Sequence, residues 1–564
     1  MVILLIIIFL IIIFLLINNS SVKQNTNSDI IIVGLGTAGS IMASRLAEYL
    51  PNHNITVLEK GKDESNDPIV YNAKNAPISA YTAPYSEVLP TENSNISVTV
   101  GTMHGGSSSH NYGLVVRISP SFYNKYWYPI LQIPYNNLQA YYQNIENFSG
   151  ISESPEIRGN NGKLDIYQLP TSLDFSLMTN LERIKYFAKN PGSIIQSLNT
   201  IRDLGPLRAS DNFSNNFLNA VINVKKIPIV SDYNAGYTSC CSKLPQIFVN
   251  RLTGLRSSTN IGYLNSNQRN LNIISNANVI KIQQNYVQWK DKNNNIQTTS
   301  LNPNGKIVLC AGAIFTPYLL QSSNIVNVGN NLTTHYGCTM ITSVEADNNE
   351  TFNFSSGPLA FVSNNTADRG WQILCAGEAL INKKLLQQVN INLDESKNSN
   401  PKLRYLVMLG WNLKPKARGS VTYNSKQNKP VIKMNLFKDG TLSDPSSDIS
   451  NSVNCMQFMN NIAQQLQNNY PSLQVVFPPQ EAFNNKTELA KYIVSGVSMT
   501  DHYCSTCKLG QYVNPADFSL YNKPNIHIVD ASLFPTIPDG NTEMPVCLLA
   551  EIAAEWIASA FVNQ

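Results

Sequence analysis

Charge is scarce in this chain. Only 14% of its 564 residues are Asp, Glu, Lys or Arg, against roughly 25% in an average soluble protein. The 41 basic residues nearly balance 37 acidic ones and leave a net +4. A strongly basic nucleic-acid binder and a charge-rich disordered chain are both excluded, so no nucleic-acid partner is expected. Cysteine is thin as well: nine in all, an odd number, which does not fit the disulfide framework of a small secreted domain. The pairs Cys240/Cys241 and Cys504/Cys507 remain close enough for local chemistry. There are only six His, no internal repeat is visible, and no metal site is expected. What is abundant is apolar and aromatic: 43% hydrophobic residues, with 26 Tyr and 20 Phe. That suits a large folded enzyme whose surface polarity comes from Asn, Gln and Ser. At about 150 residues per domain the length allows about four domain equivalents, as several small domains or two large ones.

One long hydrophobic run stands apart. Val2 to Ile17 is unbroken and 16 residues long, and a polar stretch follows at once. It falls just under the roughly 17 to 25 residues that span a bilayer and slightly over the roughly 7 to 15 of a signal-peptide core. No Lys or Arg precedes it, Lys23 follows, and no small-x-small cleavage site is evident, which tilts the reading toward an uncleaved anchor. The protein is therefore expected to be membrane-anchored or secreted.

From Asp29 the pattern is a βαβ unit. Ile30–Val33 is a β-branched apolar run, glycines turn the chain, Ser40–Leu50 carries helical periodicity, and Ile55–Leu58 is a second strand ending on Glu59. Gly34, Gly36 and Gly39 occupy the first turn, and Glu59 lies 20 residues past Gly39. This is the dinucleotide-binding fingerprint: glycines for the tight turn, for approach to a pyrophosphate and for helix–strand packing, with an acid for the ribose hydroxyls. The fingerprint alone does not separate FAD from NAD. Further small-residue turns follow at Gly101–Gly113, at Cys310–Ala313 after a strand Ile307–Leu309 and before a helix starting near Thr316, and after a strand that ends on Asp530. Turns so widely separated look built around one ligand, with a strongly helical C-terminus beyond. Two stretches without glycine fingerprints, Ser119–Asn219 and Tyr336–Ser498, read as a second domain made of two insertions.

Together these pieces resemble the glucose-methanol-choline (GMC) family of FAD-dependent oxidoreductases, in order from Asp29 to the C-terminus. The family's first signature is similar to Gly101–Gly113. Its middle segments are similar to IPIVSDYNAGY, GLRSSTNIGYL and NLNIISNANVIKI, and its second signature to CAGAIFTPYLLQSSNI. VGNNLTTHYG follows that, and DHYCSTCKLG and VDASLFPTIPDGNTEMPVCLLAEIAAEWI are similar to the C-terminal active-site blocks. Asn324 stands where the second signature has glycine, and Cys504-Ser505 replaces Val-Gly after the active-site histidine.

The resemblance implies an α/β FAD-binding Rossmann-like (ββα sandwich) domain from residues 28–118, 220–335 and 499–564. An α+β substrate domain with an antiparallel sheet would come from 119–219 and 336–498, and residues 1–17 would be the anchor or signal. The implied reaction oxidises an alcohol to an aldehyde or ketone. His502 takes the hydroxyl proton, Asn541 holds the substrate oxygen, hydride passes to flavin N5, and oxygen or another acceptor reoxidises the cofactor. Gly34, Gly36, Gly39 and Glu59 would hold the adenosine diphosphate, Val279 would lie near the adenine, and Gly106, Asn111, Asp530 and Ala531 near the rest of the flavin. His110 matches the histidine that covalent members of the family bond to the flavin 8α-methyl. Covalent and noncovalent contact are both open, with His104 the fallback attachment point. Asp501, where members acting on aryl alcohols carry an aromatic residue, is read either as a sign of a polar or cationic substrate or as an exposed loop Asp. Cys507 matches a common family cysteine, so a redox role for the Cys504/Cys507 pair is not expected. The alternative is a structural or surface-decorating protein with a vestigial site. Abundant Asn, many Asn-x-Ser/Thr sequons and similar members carried by giant viruses in their outer fibres would then place it on a virion surface.

Overall fold

A computed structural model of the chain describes residues 27–562 apart from 76–81, 93–95, 169–209, 252, 265–267, 347–351, 353–356, 364–367, 379–399 and 401. The apolar run 2–17 lies outside the described residues, as does much of the first expected insertion.

Strand β1 (Ser28–Val33) has apolar side chains pointing both ways and is covered on both faces; Ile30, Ile31 and Ile32 are fully buried. That is how a central parallel strand reads. It pairs in parallel with β2 (Ile55–Leu58) on one side and with the end of strand Ile296–Leu309 on the other. Leu271–Ile274 and Lys523–Ile528 extend the parallel sheet outward. The first half of Ile296–Leu309 pairs antiparallel with Tyr286–Lys290, which pairs with Asn278–Ile282.

Helix α1 (Thr37–Tyr49) packs beside the C-terminal helix Glu543–Val562 in the core that covers this sheet. The latter is long and apolar enough to cross a membrane, yet its most apolar stretch is 67% buried inside the fold. Its one deeply buried mid-helix carboxylate, Glu551, takes two hydrogen bonds from the Arg45 guanidinium on α1 and one from the Tyr263 hydroxyl at 2.5 Å.

The second layer is an antiparallel sheet in the order Gln474–Phe477, Tyr336–Glu345, Leu403–Asn412, Arg369–Ala376, Leu359–Ser363, Cys240–Ser242. Helices Asp448–Leu466 and Asp211–Val224 share its hydrophobic core. The expected division at residue 219/220 does not coincide with a structural break. The helix runs through it, and Cys240–Ser242, inside the stretch assigned to the first domain, pairs with Leu359–Phe361 of the second sheet.

The helix expected near Thr316 begins at Gly312 and runs to Ser322 with Pro317 inside it. Proline has no N–H and leaves the carbonyl one turn back without its helical partner. Here the Thr506 hydroxyl donates to the Ala313 carbonyl at 2.7 Å, so a side chain remote in sequence makes the longer helix tolerable. The same helix explains the first departure from the family pattern. Asn324 adopts φ 57°, and the Asn324 and Ile325 N–H groups return to Gln321 and Leu320. Asparagine thus fills the left-handed cap that glycine usually takes. Ser505, the second departure, also sits in the left-handed region at φ 68°, so the backbone path of the glycine it replaces is kept.

Candidate active site

Two glycine turns meet at the C-terminal end of β1. A Cβ on Gly39 would lie 2.0 Å from the Gly34 carbonyl oxygen, and one on Gly106 2.8 Å from the Gly36 Cα. The βαβ turn and the Gly101–Gly113 loop therefore touch backbone to backbone, and no side chain fits between them. Beyond them, Glu59 at the end of β2 is buried, and burial raises its pKa. Its carboxylate accepts the Leu35 N–H at 2.6 Å and the Gly61 N–H at 2.7 Å. Asp530 is likewise buried, and it accepts from Gly312 N–H, the Thr316 hydroxyl and Ser532 N–H. Ala531 accepts the Ser505 N–H through its carbonyl, and Val279 lies at 9% exposure on its strand. These are the residues that could hold a dinucleotide.

The histidines of the first signature differ sharply. His104 Nε2 lies 2.9 Å from the Ser275 hydroxyl. Both ring nitrogens of His110 are buried without a hydrogen-bond partner among the described residues. Burial, and then the nearby Arg256 charge, push its pKa down to about 3, so it is a neutral, unsatisfied imidazole. Beside it, the Asn111 amide is committed to protein: it donates to Glu543 at 2.5 Å and accepts from Gly113 N–H and from Arg256 at 3.1 Å. Glu543, pushed up to about 7 by burial, keeps one buried oxygen without a partner among the described residues, as Arg256 keeps one buried Nη. Sequence reasoning missed Glu543 and Arg256, because each is read as a single polar residue in an unremarkable local pattern.

The base is placed by a strand-like ladder between two distant segments. Thr333 and Cys504 exchange backbone hydrogen bonds, Thr500 N–H donates to the His335 carbonyl, and the Thr334 hydroxyl accepts the His502 N–H at 3.1 Å. Pairing continues through Tyr336 with Met499. The ladder sets His335 against His502, their Nδ1 atoms 2.9 Å apart and their rings perpendicular. His335 Nε2 faces the Pro538 carbonyl at 2.8 Å. Asn541 Nδ2 lies 3.4 Å from His502 Nε2, and its Oδ1 accepts from Gln372 at 3.2 Å. The two residues expected in catalysis are therefore together. Burial pushes His502 well below the usual imidazole range, with the neighbouring His335 adding to the effect.

Next to the base, Asp501 is exposed, yet surrounding protein pushes its carboxyl up to about 6. Tyr112 is 42% exposed, yet burial and then the charge of Asp501 push its hydroxyl up to about 12. Asp501 accepts the Tyr503 hydroxyl at 2.6 Å and takes part in no ion pair among the described residues. All nine cysteines are free thiols, including Cys504 and Cys507.

The site thus combines a Rossmann-type glycine turn at the end of a parallel sheet, a second, antiparallel sheet, and a histidine pair with Nδ1 atoms 2.9 Å apart. The chain belongs to the GMC oxidoreductase family: the family's N-terminal model matches residues 28–337 and its C-terminal model residues 415–550. It is 25% identical to the ecdysone oxidase of Bombyx mori, over 95% of this chain and 83% of that protein. It is 22% identical to a GMC-type oxidoreductase of Acanthamoeba polyphaga mimivirus, over 92% of this chain and 89% of that one. The structure superposes on a variant of the formate oxidase of Aspergillus oryzae with a TM-score of 0.74 at 16% identity, covering 95% and 99% of the two chains. The fold is thus the GMC oxidoreductase fold.

Proposed function

We propose that the protein is an FAD-dependent oxidase or dehydrogenase of an alcohol CH–OH group, forming an aldehyde or ketone. The observation that carries this reading is the His502–Asn541 pair, His502 Nε2 lying 3.4 Å from Asn541 Nδ2. The residues present fit FAD. The two glycine turns form a side-chain-free cradle, a buried acid stands at the end of β2, and His110 is an orphaned imidazole whose unmet hydrogen-bonding capacity calls for a partner. Gly34, Gly36, Gly39 and Glu59 would hold the adenosine diphosphate half, with Val279 near the adenine. Gly106, Asn111, Asp530 and Ala531 would line the flavin half, and His110 would tether it covalently.

When bound, FAD supplies the hydride acceptor and passes electrons on to oxygen or another acceptor. The protein does the proton chemistry. His502 is neutral at physiological pH, so Nε2 can take the hydroxyl proton as the C–H bond is broken. Asn541 Nδ2 donates to the substrate oxygen and, being an amide, does not compete for the proton.

Purified protein is expected to be yellow, to keep the colour in the pellet after acid precipitation, and to lose only the acid-stable colour in His110→Ala. A colourless protein would instead favour the structural, surface-decorating reading, and colour released by acid in the wild type would remove the tether. Asp501 makes a second expectation. Its carboxyl is neutral below and charged above about 6, so KM for an ammonium-bearing alcohol should fall, roughly up to fivefold for a partly solvated charge pair, as pH rises through that value. KM for a neutral alcohol should not. Steady-state kinetics on both, with Asp501→Asn as control, measure it; equal pH dependence would sink the role. The apolar run 2–17 is proposed as the anchor or export signal, giving a membrane-anchored, secreted or virion-surface location, tested by N-terminal mass spectrometry and alkaline extraction.

A further inference from the structure

We infer that His335 is a positioning residue that fixes which ring nitrogen of His502 carries the proton, an inference that rests on His502 being the base. The tautomers follow from the partners alone. His335 Nε2 faces a carbonyl oxygen, that of Pro538 at 2.8 Å, and a carbonyl only accepts, so Nε2 must carry the hydrogen. A neutral imidazole has one donor and one acceptor, which makes His335 Nδ1 a bare acceptor. His335 is 1% exposed, and burial pushes its pKa down to about 4, so the neutral form holds at physiological pH. The contact at 2.9 Å between the two Nδ1 atoms then requires the hydrogen to sit on His502 Nδ1. His502 Nε2 is left bare, facing Asn541 Nδ2, which donates. The opposite tautomer would set two bare Nδ1 lone pairs against each other and turn an N–H of His502 toward the Asn541 amide hydrogens.

Geometry makes the choice robust. The backbone ladder through Thr333, Thr334 and Thr500 sets the register of the two histidines. The Pro538 carbonyl lies on the segment that leads to Asn541, so one imidazole ties the base and the substrate-oxygen holder to the same frame. Among the described residues the charge-bearing group that acts on His502 is His335, and facing His335 are the carbonyls of Pro538 and Leu413. The acceptor behind the base is therefore neutral, where a carboxylate would stabilise the imidazolium and raise its pKa. His502 stays deprotonated into the acid range, and after it takes a proton its Nδ1–H remains donated to His335.

The test uses the full-length protein as purified with its cofactor. ¹⁵N-histidine NMR reads the tautomers without any turnover: protonated Nδ1 on His502 and protonated Nε2 on His335 are expected. The rate of flavin bleaching without oxygen is then followed against pH with benzyl alcohol, 1-butanol, glucose and choline as probes. His335→Leu should slow the fastest of these by about 100-fold, with little change in its half-saturation concentration. His335→Gln, whose amide also offers one donor and one acceptor, should recover most of that loss, and His335→Asp should move the acid limb to higher pH. An Nε2-protonated His502 in the wild type would overturn the assignment. So would equal impairment in Leu and Gln variants of wild-type melting temperature and flavin content. If His502→Ala keeps wild-type rates, it is the base assignment that fails, and the NMR result still decides the tautomer.

Discussion

His502→Ala is expected to slow alcohol oxidation by about 10²–10⁴-fold, the usual worth of a positioned general base, while leaving cofactor content unchanged. The separation of the two effects follows from the structure. The His502 side chain meets His335 and Asn541, whereas the proposed cofactor cradle is made of the β1–α1 turn, the Gly101–Gly113 loop and Glu59. Removing the imidazole therefore deletes the proton acceptor without touching the cradle. The sign of the pH dependence is also fixed. A base must be deprotonated to act, and burial has pushed His502 well below the usual imidazole range. Wild-type rate should thus be flat through neutral pH and fall only in acid, and the alanine variant should instead climb with pH as hydroxide takes over. Stopped-flow bleaching of the flavin across pH measures both; an alanine variant with the wild-type rate and profile would refute the role.

Glu146→Leu should be the most damaging single change to stability, about 3–5 kcal/mol, because it strands a buried cation. Glu146 is fully buried and grips the Arg117 guanidinium with both oxygens, at 2.8 and 2.6 Å, while Arg158 approaches at 3.3 Å. Arg117 also lies over the Tyr142 ring and Arg158 over the Phe148 ring, at 4.4 and 3.8 Å. The two arginines fare differently. The paired charge outweighs burial at Arg117 and raises its pKa, whereas burial prevails at Arg158 and lowers it. Arg117 is thus the true partner, and Arg158 leans also on Asp232 at 3.6 Å. With leucine in place, Arg117 has no other carboxylate within ion-pair distance among the described residues. Urea midpoints of wild type and variant give the comparison, and a loss under about 1 kcal/mol would show that water or a shifted acid replaces Glu146.

What could be read in advance depended on how local each feature is. β1, α1 and β2 were legible because strand, turn and helix are written in consecutive residues, and Ile55–Leu58 matches its expected bounds. The helix at Gly312 was read too short, because Pro317 argues for a helix start unless Thr506 is known to satisfy the Ala313 carbonyl. Residues 220–335 were placed in the first domain as one block, and the three residues of Cys240–Ser242 carry no sign that they pair with Leu359–Phe361. His502 and Asn541 were named from their family blocks, and the fold brings them together. The contact between His335 and His502 could not be foreseen: 167 residues separate them, and nothing in either segment's pattern encodes the ladder that joins them.

That ladder has an evolutionary consequence. The paired segments that carry His335 and His502 bracket the stretch from Tyr336 to Ser498, so most of the antiparallel layer hangs from a stem that also holds the proposed base and its partner. Insertions, deletions or wholesale remodelling within the layer can change its loops and faces while the stem, pinned by its own backbone hydrogen bonds, keeps the two imidazoles in register. Substrate range and proton chemistry can therefore diversify on separate schedules.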